Sequence, residues 1–161
     1  MIATMETDLF TTLDESKGWL QENVDDGAIC PCCHRLDKVY NRKVSISMVS
    51  RVFDLYRYAT THGAAGWHSH RSFVSDQTVG RDFPLLRFIG LLDMEDSRDK
   101  SKKTSGSYRI NLKGVQFCRG DLMIPERLII YHNELIGVST EEKHIQDFWP
   151  NFNYQELMGA E

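Results

Sequence analysis

Residues 75–120 constrain this chain most, because glycines and a long charged segment divide them into pieces that fit together in one order. Val79, Phe83, Leu86 and Ile89 recur at steps of three and four, the spacing of one helix face. Gly90 follows the last of them and suits the left-handed conformation that ends a helix. Leu91 and Leu92 then open an apolar strand. Residues 96–106 are almost all Ser, Lys, Asp and Arg. They bury nothing, so between two strands they form an exposed hairpin tip. Tyr108, Ile110 and Leu112 alternate as a half-buried strand does, and residues 113–120 read as a short closing helix. Pro84 falls inside the first helix, where it would cost about 3 kcal/mol. A break at Asp82 resolves this. Asp82 then caps a shorter helix with Phe83 and Pro84 in its first turn, where proline is tolerated.

Upstream, the spacing predicts a helix over residues 44–58. Ile46, Val49, Val52, Phe53, Tyr56 and Ala59 form its apolar stripe. Ser45 or Ser47 caps it, and the glycines at 63 and 66 break it. Residues 8–20 hold Leu9, Phe10, Leu13 and Leu20, enough for a short amphipathic helix in an otherwise polar arm. Downstream, residues 122–138 read as a hairpin: Leu128 to Tyr131, a turn at His132-Asn133-Glu134, and a return through Leu135 to Val138. Asn133 tolerates the left-handed conformation such turns need. Residues 139–142 read as a helix start, with Ile145, Phe148 and Trp149 docking the helix and Pro150 ending it.

Charge is unevenly spread. Residues 1–34 carry one basic and seven acidic side chains, residues 35–119 sixteen and eight, and residues 120–161 two and eight. The whole chain of 161 residues has a net charge of -4, yet its middle is strongly positive. A basic middle between acidic ends fits an electrostatic footprint for nucleic acid. It fits equally a solvated surface of uneven charge. No apolar run approaches the about 18 residues of a membrane span, and the acidic N-terminus has neither the basic start nor the apolar core of a signal peptide. A cytoplasmic protein with no membrane partner is the expectation.

Cys30-Pro31-Cys32-Cys33-His34 concentrates three of the four cysteines in one turn. Cys30 and Cys33 form a C-P-x-C pair, a spacing that lets two thiolates share one metal, and zinc suits tetrahedral sulfur and nitrogen ligands. No second such pair exists. Among the histidines, His68 and His70 sit two apart, on one side of a strand. A structural zinc held by Cys30, Cys33, His68 and His70 is therefore expected, with His34 and Cys32 competing for the same role. Four ligands leave no open position, so such a zinc is not catalytic. Elsewhere there is no P-loop, no Gly-x-Ser-x-Gly and no His-Glu-x-x-His. The sequence does not read as an enzyme.

Thr78-Val79-x-Arg81, Leu86-Arg87 and Gly90-Leu91-Leu92 resemble the second and third helices of bacterial winged-helix repressors. The resemblance implies an α+β protein. Its winged helix-turn-helix core (residues 35–120) follows an acidic Cys-rich arm (1–34) and precedes a hairpin with short helices (121–161). It also implies that Gln77, Thr78 and Arg81 face the major groove, where Arg reads guanine and Gln adenine. Arg87, Lys100, Lys102, Lys103 and Arg109 would then hold phosphates of double-stranded DNA, and a homodimer would read paired half-sites.

The whole chain is similar to a group of small tailed-phage proteins. The likeness rests on the C-P-x-C turn, Asp82-Phe83-x-x-Leu86-Arg87-Phe88-x-Gly90-Leu91-Leu92, Lys113-Gly114-x-x-Phe117-x-Arg119-Gly120, Ile124-Pro125-x-x-x-Ile129-Ile130-Tyr131 and Phe152-x-Tyr154-x-Glu156-Leu157-Met158. Members have glycine after the C-P-x-C pair, where this chain has His34. Two functions are expected from these readings. One is a transcriptional regulator. The other is a phage factor in the host cytoplasm that binds and blocks a host protein complex through its acidic surfaces.

Overall fold

The computed structural model describes residues 2–76, 80–102 and 105–159, and the chain divides into two units. The first comprises Met1–Arg42 and Arg127–Val138, the second Lys43–Glu126 and Ser139–Glu161. Small sheets and several helices make the protein α+β.

In the first unit, strand Ala28–Ile29 pairs in parallel with Ala3–Thr4 and antiparallel with Leu36–Asp37. Helix α1, Leu13–Asn23, starts at Thr12. The Thr12 hydroxyl accepts from the Glu15 amide at 3.2 Å, and the Glu15 carboxylate accepts from the Thr12 amide at 2.7 Å. This reciprocal box fixes the helix start, later than the apolar pattern predicts. Leu9 and Phe10 lie before it in a turn built on Asp8 and are exposed. Strand Arg127–Tyr131 lies between Glu134–Val138 and Tyr40–Lys43. His132 and Asn133 have φ of 50° and 62°, the left-handed pair that a two-residue hairpin turn requires. The hairpin is the one expected from the sequence.

The second unit is built on α2, Ile46–His62. The Ser45 hydroxyl caps it by accepting from the Met48 amide, and Met48, Val49, Val52, Phe53, Leu55, Tyr56 and Ala59 are buried along one stripe. Gly63, at φ 108°, ends it. Next come strand His68–Ser69 and the short α3, His70–Phe73. The shorter helix expected after a break at Asp82 is a 3-10 helix, Phe83–Ile89, and Asp82 precedes it without a side-chain capping bond; Val79 lies outside the described residues. Two residues mark its start. Pro84 occupies the first turn. Gly80 has φ 68°, and a Cβ there would come within 2.7 Å of the Ser47 carbonyl and the Arg51 side chain. Gly90 ends the 3-10 helix in the left-handed region.

Strands Leu92–Met94 and Ser107–Ile110 pair antiparallel with Leu92 opposite Ile110. His68–Ser69 pairs with the outer side of Ser107–Ile110, His68 opposite Tyr108. Helix α4, Leu112–Cys118, follows. A Cβ on Gly114 would collide with the Leu91 carbonyl, so only glycine lets α4 approach that strand. Ile124–Pro125 pairs with Glu142–Lys143, which corrects the helix start expected at 139–142. Helix α5 is confined to Ile145–Phe148 and α6 to Tyr154–Leu157. Phe53 is the hub of this end of the unit. Tyr56, Trp149, Phe152 and Tyr154 all meet its ring edge-on, with centroids 5.4–6.1 Å away.

Candidate nucleic-acid interface

The residues expected to face DNA fall into three groups. Gln77, Thr78 and Lys103 lie outside the described residues. Arg81, Lys100 and Lys102 are exposed, with Arg81 in the Gly80 turn and the lysines on the hairpin tip. Arg87 and Arg109 are engaged within the unit. The Arg87 guanidinium donates to the Pro84 carbonyl at 3.0 Å and lies 4.3 Å over the Phe88 ring. Arg109 donates to Asp93 across the strand pair at 3.2 Å and stacks 4.3 Å over Trp67. Strand alternation explains the placement: Tyr108 and Ile110 point into the core, so Arg109 must stand on the opposite face. Asp93 and Trp67 are partners the sequence did not reveal, since Trp67 is far from Arg109 in the chain.

The tip is positive but not a block of positive charge: residues 96–106 hold four basic and two acidic side chains. Hydrogen bonds from the Ser101 hydroxyl and amide hold the Asp99 carboxyl below its ordinary pKa. That carboxylate therefore stays charged beside Lys100 and Lys102. On α2, Arg51 and Arg57 both reach Asp54, at 2.7 and 3.4 Å, and Arg57 also donates to the Leu157 carbonyl. Burial raises the Asp54 pKa and the two arginines oppose that shift. These cations are committed to structure rather than offered to phosphate.

The expected zinc ligands are divided between the units. His68 is buried in the second unit, with Nε2 2.7 Å from the Gly63 carbonyl and its ring edge-on to Tyr58. His70 stacks on Phe83 with centroids 5.2 Å apart. Cys30 and Cys33 occupy the turn of the first unit between Ala28–Ile29 and Leu36–Asp37. There the Cys30 amide donates to Arg35 and the His34 amide to the Cys30 carbonyl, at 2.9 and 2.8 Å. His34 takes the left-handed conformation, φ 59°. The Cys33 and Cys32 amides donate to the Cys30 sulfur and lower its pKa. Among the described residues, no three His, Cys, Asp or Glu side chains are gathered closely enough to hold a metal ion.

The first unit also contains a network absent from the expectations. Asp37 accepts from the Tyr131 hydroxyl at 2.8 Å and lies 2.9 Å from His132 Nε2. Burial first, then the Asp37 hydrogen bond and charge, push the Tyr131 pKa to about 12. Among the described residues, no helix is long and apolar enough to cross a membrane. No family model matches the chain, nor does any curated protein or solved structure.

Proposed function

We propose that the second unit is a winged helix-turn-helix that binds double-stranded DNA and that the protein acts as a transcriptional regulator. One observation carries this reading. Helix α2, strand His68–Ser69, α3, the 3-10 helix and the hairpin strands follow in the order of that module, and the first strand pairs with the last. Of the exposed cations, Arg81 faces the major groove and Lys100 and Lys102 supply phosphate contacts. With Arg87 and Arg109 engaged, few phosphates are neutralised, so affinity rests on a short list of contacts. The compartment this reading requires is a cytoplasm that holds DNA, that of the host if a phage encodes the protein.

The test is binding to mixed short duplexes across a salt series. Binding should weaken as salt rises, and Lys102→Ala should lower the salt slope by about 1. Lys100→Glu with Lys102→Glu should abolish binding. No binding at low salt overturns the reading. A second reading rests on the exposure of Asp25, Asp26, Glu141 and Glu142. In it, these carboxylates dock a basic surface of a host protein complex and block it. Neutralising the four would then abolish capture of that complex while leaving DNA binding intact.

A further inference from the structure

We propose that Cys30 and Cys33 form one half of a four-thiolate zinc site, completed by the same two cysteines of a second copy of this chain. The turn is already built as a metal-binding half. Its backbone is closed by two hydrogen bonds, Cys30 to Arg35 and His34 to Cys30. The amides of Cys32 and Cys33 point at the Cys30 sulfur, and the Cys33 side chain lies within hydrogen-bonding reach of it. Two sulfurs sharing a tetrahedral zinc at about 2.3 Å each stand roughly 3.8 Å apart, a separation that C-x-x-C spacing permits. None of the four cysteines is in a disulfide.

Counting ligands points to the second copy. A tetrahedral site needs four, and this turn gathers two thiolates without a third donor among the described residues. The other candidates are engaged elsewhere. Cys118 is buried in the second unit, where burial raises its thiol pKa, and His68 is held by the Gly63 carbonyl. The turn sits at a hairpin end, and Cys32, Cys33, His34 and Arg35 are exposed around it. A second chain therefore has access, and the Arg35 pair would offset the net negative charge of a four-thiolate zinc. Binding is not a redox step. Four S–H groups, two per chain, release protons to solvent as four Zn–S bonds form, so affinity falls with falling pH.

The test uses the full chain, reduced and metal-free, titrated with zinc. Bound metal and molecular mass are measured together, and Co(II) serves as the spectroscopic probe of thiolate ligation. The expected result is one zinc per two chains, a monomer-to-dimer shift driven by zinc and reversed by chelator, and a four-thiolate Co(II) spectrum. Cys33→Ser should remove the shift while leaving circular dichroism unchanged. Cys32→Ser and Cys118→Ser should retain it. One zinc per monomeric chain would overturn the proposal and point to ligands within the chain, His68 and His70 or His132. No zinc binding by the reduced protein, or a dimer indifferent to zinc, would also overturn it.

Discussion

The second unit buries Phe53, Phe83, Phe117, Leu55, Leu86, Leu91 and Leu92 almost completely, whereas the apolar residues buried in the first are Val24, Ala28, Leu128 and Ile130. One is held by a rigid aromatic core around α2. The other is held by directional bonds: a capping box, an Asp37 hub and a cysteine turn closed through its own amides. Small folds with thin cores need interactions beyond apolar burial. The difference shows where each half of the protein is vulnerable. The second unit fails by losing volume, the first by losing a polar partner.

The largest expected effect tests the aromatic side. Phe53→Ala should cost about 3–5 kcal/mol in denaturant unfolding, with α5 and α6 losing protection from hydrogen exchange. A loss below about 1 kcal/mol would mean the four rings around Phe53 repack freely. Gly80→Ala is next, at about 1–3 kcal/mol for a strained backbone, because the new methyl meets Ser47 and Arg51. In the first unit, Thr12→Ala should cost about 1 kcal/mol by opening the capping box. If hydrogen exchange after Thr12→Ala accelerated equally in α2, the two halves would unfold as one block and the contrast would collapse.

Tyr131 gives the contrast a pH signature. Its folded pKa, about 12, lies above the ordinary value of 10. The stability it adds is therefore full below about pH 10 and is lost as pH rises toward 12, because the unfolded chain releases the proton first. Ultraviolet titration should show a late tyrosine that disappears in Tyr131→Phe and moves lower in Asp37→Asn. The smallest effect is Asp93→Asn. The exposed Arg109 pair is worth about 0.2–1 kcal/mol, so stability should barely change. DNA binding should strengthen as the Arg109 charge is freed, and weaker binding would count against Arg109 as a phosphate contact.

Much of this architecture was legible in the sequence because local rules set it. Helix α2 combined a stripe with a serine cap, Gly90 marked a helix end, and His132-Asn133 marked a turn. The break at Asp82 followed from Pro84 alone. The 3-10 character did not, nor the close approach of Gly80 to Ser47 and Arg51 on α2. Leu9 and Phe10 misled because an apolar spacing predicts a helix, whereas the Thr12–Glu15 box decides where it begins. In the candidate sites, exposure of the lysines was readable from composition. The engagement of Arg109 by Asp93 and Trp67 was not, nor the Asp37 hub that joins residues 94 and 95 positions apart. Such pairings leave no periodic trace.

The first unit is assembled from the chain's opening 42 residues and a hairpin that is not complete until Val138. On a ribosome adding about 5–20 residues per second, those opening residues wait roughly 5–20 seconds for their partner strand, with Cys30 and Cys33 already made. Lys43–Glu126 of the second unit are made during that wait. The Cys30 and Cys33 thiols thus precede the strand that closes their unit, and the second unit waits longer still, for Ser139–Glu161 and the rings that pack on Phe53.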